Sequence, residues 1–417
     1  MKILVVGKGG REHAIHTALV ESPGDHELFA FPGSDAIAEL ATNVEADSIG
    51  GLVAIMKDLE IDLCIAGEEA WLVKDEGLAN ACEEAGIPCW GPHRQSAQLE
   101  ASKEFAKEFM VRHNIPTGGY LSTNDPAEAK AAITSYPAVL KFDGLAAGKG
   151  VALPEDEAAA DAFIDEVLVQ RKFGDGNILV EEFLTGPEIS IFAAVSDAGY
   201  QILAPARDYK RIRENDEGPN TGGMGAVASR SLVEPELMAE IERTIVRPTV
   251  DGLIADGLPY RGFLYFGIML TPEGPKILEY NCRFGDPECQ AVLPLLEGDF
   301  ASYCAAGAAG EIDPAKIHFR DGWNVCVILA SAGYPESSRN GDVIDGLDEV
   351  EPGTRVYHAG TKVADDGNYE TAGGRVLAVV RYGETREDAV IDAHRAADGI
   401  RFDGAQRRRD IGIMHFS

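Results

Sequence analysis

Short apolar runs alternate with helically spaced ones over the first part of the chain. Residues 2–6, KILVV, form a strand-like run that stops at Gly7-Lys8-Gly9-Gly10 and gives way to a helical pattern from 11 to about 20. Further strands are predicted at 27–31, 62–66 and 87–90, and helices at 48–59 and 76–85. That alternation predicts a parallel sheet with crossover helices. Residues 96–113 read as one amphipathic helix, with Leu99, Phe105 and Phe109 among its apolar positions, linking two domains. From 115 to about 187 the pattern changes to short strands and glycine turns, AVLKFDG, GKGVAL and NILVEEFL. Strands at 190–195 and 201–204, a glycine-rich loop, a helix at 234–256 and strands at 263–270 and from 276 follow. After a stretch of weak signal, strands at 325–331 and 374–381 and a helix at 385–398 predict a small α+β terminal domain starting near 322. No internal repeat or low-complexity segment interrupts this order.

Composition narrows the picture. With 417 residues, 45% of them hydrophobic, the chain can bury several cores and divides into about two to four domains. No apolar run approaches the ~20 residues of a membrane helix, and MKILVVGKGGREH lacks the apolar stretch of a secretory signal, so a cytoplasmic protein is expected. Sixty-nine acids against 37 bases leave a formal charge of −32. Such a field repels nucleic acid and anionic membranes, so neither is expected as a partner, and an anionic substrate needs locally placed cations. The acids are spread along the chain, which suits a high-salt cytoplasm; the melting temperature is expected to rise between low and molar KCl as screening relieves self-repulsion. An unchanged melting point would remove that reading. Cys64, Cys82, Cys89, Cys282, Cys289, Cys304 and Cys326 include no CxxC pair and are odd in number, which favours reduced, buried thiols over disulfides or a zinc site.

Candidate chemistry gathers in four segments. In KILEYNCRFGDPECQ (276–290), strand alternation puts Glu279, Asn281 and Arg283 on one side and Leu278, Tyr280 and Cys282 on the other. A carboxylate and an amide oxygen two residues apart suit a hard divalent cation, and Arg283 could hold an anion beside it; an ordinary half-buried strand is the alternative. The first glycine turn is no dinucleotide fingerprint, since GxGxxG would need glycine where Glu12 stands. It leaves backbone amides at a helix N-terminus, with Arg11 adjacent, able to take one anion, or a turn without a ligand. His13 and His16 share a helix face but have no third ligand nearby, so packing is expected rather than metal. KFDGLAAGKG (141–150) has three residues between glycine and GK and then Gly150, so it is not a Walker A loop. Its small residues could still bring amides against phosphate oxygens between Lys141 and Lys149, unless it is a solvent-exposed hairpin. Finally, RDYKRIRENDEGPNTGGMG (207–225) mixes Asp208, Lys210 and Arg211 with neutral Asn220-Thr221-Gly222-Gly223, as in a substrate loop or a disordered surface loop.

GKGGREHA, AQLEASKEFAKEFM, KFDGLAAGKGV, VEEFLTGPEIS, GPNTGGMGA, EYNCRFGDPECQ and a closing TAGGRVL with RRRDIG, in this order over essentially the whole chain, resemble the phosphoribosylamine–glycine ligases (glycinamide ribonucleotide synthetases) of the ATP-grasp superfamily. The resemblance implies an α/β and α+β multidomain protein. It would have an N-terminal Rossmann-like (pre-ATP-grasp) domain at 1–101, an ATP-grasp domain at 102–321 with a mobile lid at about 116–187, and a small C-terminal α+β domain at 322–417. It implies that ATP, glycine and 5-phospho-β-D-ribosylamine give glycinamide ribonucleotide, ADP and phosphate through glycyl phosphate, in de novo purine synthesis. The implied partners are these small molecules, and the implied assembly a monomer or weak homodimer.

Residue by residue, the resemblance gives Lys103 and Lys141 to the ATP phosphates, with Gly144, Gly148, Lys149 and Gly150 in the loop that closes over them. Glu181, Glu182, Phe183 and Leu184 resemble the hinge that meets adenine, and Glu188 the acid that takes ribose hydroxyls. Glu279 and Asn281 are similar to the ligands of Mg²⁺ or Mn²⁺. Gly9, Gly10, Arg11 and Glu12 would bind phosphoribosylamine, while Asp208, Lys210, Asn220, Thr221, Gly222, Gly223 and Arg283 would line the glycine and acyl phosphate site. Three departures stand out. The family reads Gln-Asp-His-Lys where this chain has Arg207-Asp208-Tyr209-Lys210, and GPEAPL where it has Gly67-Glu68-Glu69-Ala70-Trp71-Leu72. Many ATP-grasp enzymes also carry a further acidic metal ligand before the strand pair, and 262–271 contains none. Another carboxylate–amine ligase, or a nucleotide-binding regulatory module without turnover, are the competing readings.

Overall fold

A computed structural model describes residues 1–144 and 150–413. The predicted parallel sheet is present, in the order Thr42–Asn43, Glu27–Pro32, Lys2–Gly7, Leu63–Ala66, Cys89–Trp90. Ile3, Leu4, Val5 and Val6 are fully buried, as an apolar run covered on both faces requires. The edge strand Thr42–Asn43 has no apolar pattern and was not predicted. Ser48 accepts a bond from Gly51 N (3.1 Å) and starts the helix Ile49–Asp58 as expected.

The second sheet is antiparallel throughout and much larger. It runs Gly274–Asn281, Gly262–Thr271, Glu188–Ser196, Ala206–Asp208, Gly225–Ala228, Trp323–Ala330, Arg375–Gly383, Arg355–His358, with Gly199–Ile202 added beside Glu188–Ser196. Of the strands after residue 322, Trp323–Ala330, Arg375–Gly383 and Arg355–His358 therefore extend the central sheet, while Thr361–Val363 and Tyr369–Thr371 pair as a separate two-stranded ribbon. Helix Arg386–Gly399, capped by Thr385, covers them around Val325, Val379 and Ala393. A third, four-stranded sheet (Tyr120–Thr123, Ile178–Glu181, Val139–Phe142, Val151–Ala152) has its own small core of Leu140, Phe142, Ile164 and Val180.

Three local expectations need correction. The single helix at 96–113 is two, Gln98–Ala101 and Lys103–Arg112, broken at Ser102 (φ −125°, ψ 116°), whose hydroxyl accepts from Phe105 N at 3.0 Å. A capping residue inside an apolar period overrode that period, and it puts Lys103 at the start of the second helix. Strict alternation at 276–283 also fails. Gly267 pairs with Glu279 but Ile268 with Ile277, so Leu278 is an extra, bulged residue. Ile277 and Tyr280 are buried, while Leu278 turns to the same cavity as Glu279. The helix at 234–256 contains a wide turn at Glu242–Val246, next to Pro248, which cannot donate a backbone bond. The weak stretch before residue 322 hides a helix, Phe300–Ala308, capped by Asp299.

The helix Gly10–Val20 docks on the strand Arg355–His358. His358 N donates to His13 Nδ1 at 2.9 Å, and the two rings lie 5.7 Å apart. Burial pushes His13 down to about 3, and pushes His358 down to about 4 against the pull of Glu39. Both histidines are therefore neutral when folded and take up protons on unfolding. Stability is predicted to fall as pH drops below about 6.5, by about 1.4 kcal/mol per pH unit for each histidine until its folded value is reached. The gap between urea midpoints at pH 7 and pH 5 should narrow in His13→Gln, with His358 retaining its share; an unchanged pH slope refutes the assignment. Among the described residues no helix is long and apolar enough to cross a membrane.

Candidate active site

A cavity of about 410 Å³ opens where the three sheets meet. Lys103, Lys141, Gly144, Gly150, Asp208, Lys210, Glu279, Asn281 and Arg283 all line it, with Arg11, Glu181, Thr221 and Gly222. Gly148 and Lys149 lie outside the described residues. Glu182, Phe183, Leu184, Glu188, Gly9, Gly10, Glu12, Asn220 and Gly223 are not among its lining residues.

One wall is built on Glu181. Its carboxylate lies 2.9 Å from Lys107 Nζ and 3.0 Å from Lys141 Nζ, with side chains only 5%, 3% and 10% exposed. Burial alone would raise the Glu181 carboxyl, but Lys141 and Lys107 outweigh it and hold it below the usual range. Lys107 also reaches Thr117 Oγ1 (2.9 Å), and Lys141 the carbonyl of Leu278 (3.3 Å). The expected role of Glu181 rests on its backbone; its side chain is an internal counter-ion. The Glu182 N–H is spent on the Gly119 carbonyl (2.8 Å), and its carboxylate accepts from Gly119 N (3.0 Å). Lys103 Nζ donates to the Gly144 carbonyl at 2.9 Å.

A second wall centres on Lys210. It pairs with Glu188 and lies 3.6 Å from Glu279. Burial would lower the ammonium, yet Glu188, Asp208 and Glu279 together raise it. Burial pushes Asp208 well above the ordinary carboxylate range, whereas Lys210, Lys141 and Lys103 hold Glu279 low against the same penalty. Thr221 ties its loop to the segment that follows the strand Ala206–Asp208, since both its N and Oγ1 donate to the Lys210 carbonyl (2.7 and 2.8 Å).

The third wall is a chain of alternating charges. Arg283 Nη2 lies 2.6 Å from Glu100 Oε1 and its Nε 3.2 Å from Glu69 Oε2, to which Arg11 Nη2 also comes within 3.5 Å. Arg283 is thus held from behind by two carboxylates. Glu100 also accepts from Cys282 N (2.6 Å). In the amide orientation that satisfies its neighbours, Asn281 donates from nitrogen to Glu100 Oε1 (3.0 Å) and to the Tyr280 carbonyl (3.2 Å). Arg375 joins Asp286 (2.8 Å) and its carbonyl (2.7 Å) to the carbonyl of Gly222. At the first glycine turn the anion position is filled internally, because Gly9 N donates to Glu12 Oε2 at 2.7 Å and Arg11 Nε to Glu12 Oε1 at 2.7 Å.

Residues 1–100, 101–289 and 324–414 match the family descriptions "Phosphoribosylglycinamide synthetase" N domain, ATP-grasp (A) domain and C domain, respectively. The phosphoribosylamine–glycine ligase of Allochromatium vinosum is 43% identical, over 99% of this chain and 98% of that protein, and the one from Caldanaerobacter subterraneus 42%, over 99% of each. The crystal structure of the Thermotoga maritima ligase superposes with a TM-score of 0.85 at 33% identity, covering 99% of this chain and 100% of that one. The chain belongs to the phosphoribosylamine–glycine ligase family. Its fold is the ATP-grasp fold, shared at 19% identity (TM-score 0.74, 97% of this chain and 91% of the other) with a biotin carboxylase domain of Hydrogenobacter thermophilus crystallised with MgADP.

The ligase fold explains the departures from the family pattern. Arg207 and Tyr209 alternate with Asp208 and Lys210, and Tyr209 is buried in the terminal core, its hydroxyl accepting from Gly412 N (3.1 Å) with the Arg408 guanidinium 5.1 Å from its ring. The two replacements face away from the cavity. Glu68 sits beside Glu12 and Glu69, and burial with these two acids raises its carboxyl. Glu100, from another element, orients Asn281 and Arg283. Sequence reasoning did not assign Lys107, Glu100, Asp286 or Arg375. Each lies inside a segment that carried the family resemblance, so the signal was present, but their partners are distant in the chain.

Proposed function

We propose that this cavity joins glycine to 5-phospho-β-D-ribosylamine with cleavage of ATP, through glycyl phosphate. The observation that carries the reading is the convergence of Lys103, Lys141, Lys210 and Arg283 with Glu279 and Asn281 on one cavity, in a chain of this ligase family. Lys103, at the start of its helix, and Lys141 hold ATP phosphates, between Gly144 and Gly150; Gly148 and Lys149 join them on sequence grounds. Phe183 and Leu184 supply the adenine hinge, because the Glu182 amide is already used. Glu188 takes the ribose while sharing its charge with Lys210.

The donor set of Glu279 and Asn281 fits a hard divalent cation. Both ligating atoms are oxygens, Glu279 is held ionised by its cationic neighbours, and the Asn281 nitrogen is turned to Glu100. Held by Glu279 and Asn281, Mg²⁺ or Mn²⁺ would supply positive charge to offset that of the ATP phosphates. Arg283, fixed by Glu100 and Glu69, orients the glycine carboxylate, whose oxygen attacks the γ-phosphorus as the bond to ADP breaks. Lys210, kept charged by three acids, stabilises the phosphoryl oxygens as charge develops. The amine of phosphoribosylamine, held near Arg11 and Thr221–Gly222, then attacks the acyl carbon; phosphate leaves and the nitrogen gives up one proton. Positioning and preset charge supply the rate, and no side-chain nucleophile is needed.

Coupled ADP release with each substrate omitted in turn tests this. ADP formation is expected to require glycine and phosphoribosylamine together for multiple turnovers. Turnover that is indifferent to glycine, or equal with another amine acceptor, overturns the assignment.

A further inference from the structure

Away from the ligase cavity, the N-terminal sheet gathers three thiols. Cys64 lies on the strand Leu63–Ala66, Cys89 on the adjacent strand Cys89–Trp90, and Cys82 on the helix Leu78–Ala85. Cys64 and Cys89 are direct partners across the parallel pair. All three sulfurs lie within 4.8 Å of one another, and no other group of three His, Cys, Asp or Glu ligands among the described residues comes together in this way. Cys64 and Cys82 are fully buried and Cys89 is 9% exposed, in an apolar cluster with Leu4, Leu78 and Ile87. All seven cysteines are free.

We propose that Cys64, Cys82 and Cys89 form a three-sulfur site for a trivalent thiophile of the arsenous acid class. Distance selects a soft ion. Around thiolate bonds of about 2.3 Å, three sulfurs on a pyramidal trivalent centre stand about 3.5 Å apart, so sulfurs within 4.8 Å of one another close with shifts of under about 1 Å each. Charge selects the valence. Three thiolates leave one net negative charge around a divalent ion and two around a monovalent one, and an apolar shell penalises either. Around trivalent arsenic the complex is neutral.

The reaction balances without charge or electron transfer. Each thiol gives its proton to one hydroxyl of As(OH)₃; three S–H and three As–O bonds break, three As–S bonds form, and three waters leave. Cys89 lines a separate cavity of about 610 Å³ with Gly86, Pro88, His93 and Arg261, which provides a path for entry and for the departing water.

The reduced full-length chain incubated with arsenous acid should retain one arsenic less three hydrogens by intact native mass spectrometry. Mapping of the same wild-type sample by fragmentation in the native mass spectrum should place the arsenic within the segment that holds Cys64, Cys82 and Cys89, leaving Cys282, Cys289, Cys304 and Cys326 unmodified. Zn²⁺ should be retained at least about tenfold more weakly, because its charge is left unbalanced. Cys82→Ser, with two thiols remaining, should lose affinity for arsenous acid by about tenfold or more while Cys326→Ala keeps it, since a three-sulfur complex is no longer possible. No retained arsenic, arsenic located at other cysteines, or zinc held as tightly as arsenic overturns the proposal. Should Cys82→Ser fail to fold, the wild-type mapping decides alone.

Discussion

Glu279→Ala is expected to lower ATP turnover by at least about a thousandfold while leaving the fold standing, a loss of about 4 kcal/mol in transition-state stabilisation. Glu279 lines the cavity facing Lys103, Lys141 and Lys210, and all three hold its carboxyl low. Its side chain is 40% exposed and its contact with Lys210 is 3.6 Å, so removing it strands no deeply buried partner. The melting temperature should move by only a few degrees, as for a half-exposed site. Glu279→Gln keeps an oxygen but loses the charge, and intermediate activity in that variant would separate ligation from electrostatics. Coupled ADP release beside a thermal melt reads both. Wild-type rates in Glu279→Ala would defeat the assignment of this residue to the site.

The largest stability effect is expected at Glu181. Glu181→Gln removes the shared counter-ion of Lys107 and Lys141, whose side chains are 3% and 10% exposed, and leaves two ammonium groups uncompensated in the interior. Breaking a buried pair in this way costs about 3–5 kcal/mol. The double variant Glu181→Gln with Lys107→Met removes one of the stranded charges and should recover part of that loss. The pH sign follows from the depressed carboxyl of Glu181. Its contribution is fully present above the ordinary carboxylate value of about 4.3 and is lost as pH falls through the lower folded value. At pH 7 the variant should therefore show its full deficit in urea midpoint. A shift no larger than that of Glu273→Gln, at an exposed pair with Lys276, would show that the triad is not the internal support described here.

Local residue order determined the strand, glycine turn and helix at the start of the chain, the apolar strands buried on both faces, and the family membership carried by GPNTGGMG and RFGDPE. Strand alternation brought forward Glu279, Asn281 and Arg283, the composition of the glycine-rich loops Lys141 and Lys210, and the family resemblance Lys103. The tertiary structure decided what those side chains are paired with. Glu181 was legible as part of a strand, but its ion triad needs Lys107 and Lys141 from two other elements. Arg283 was legible as a cation, yet the acids behind it, Glu69 and Glu100, come from far earlier in the chain, Glu100 from the short helix Gln98–Ala101. Tyr209 stood out as a departure, and only the pairing of its strand showed that it faces a core. The three-thiol cluster has no sequence signature at all, since its ligands meet through a parallel strand register and a helix packed over it. Periodicity acts over a few residues, whereas charge compensation and thiol clustering depend on which buried faces meet, and that is settled by packing the whole chain at once.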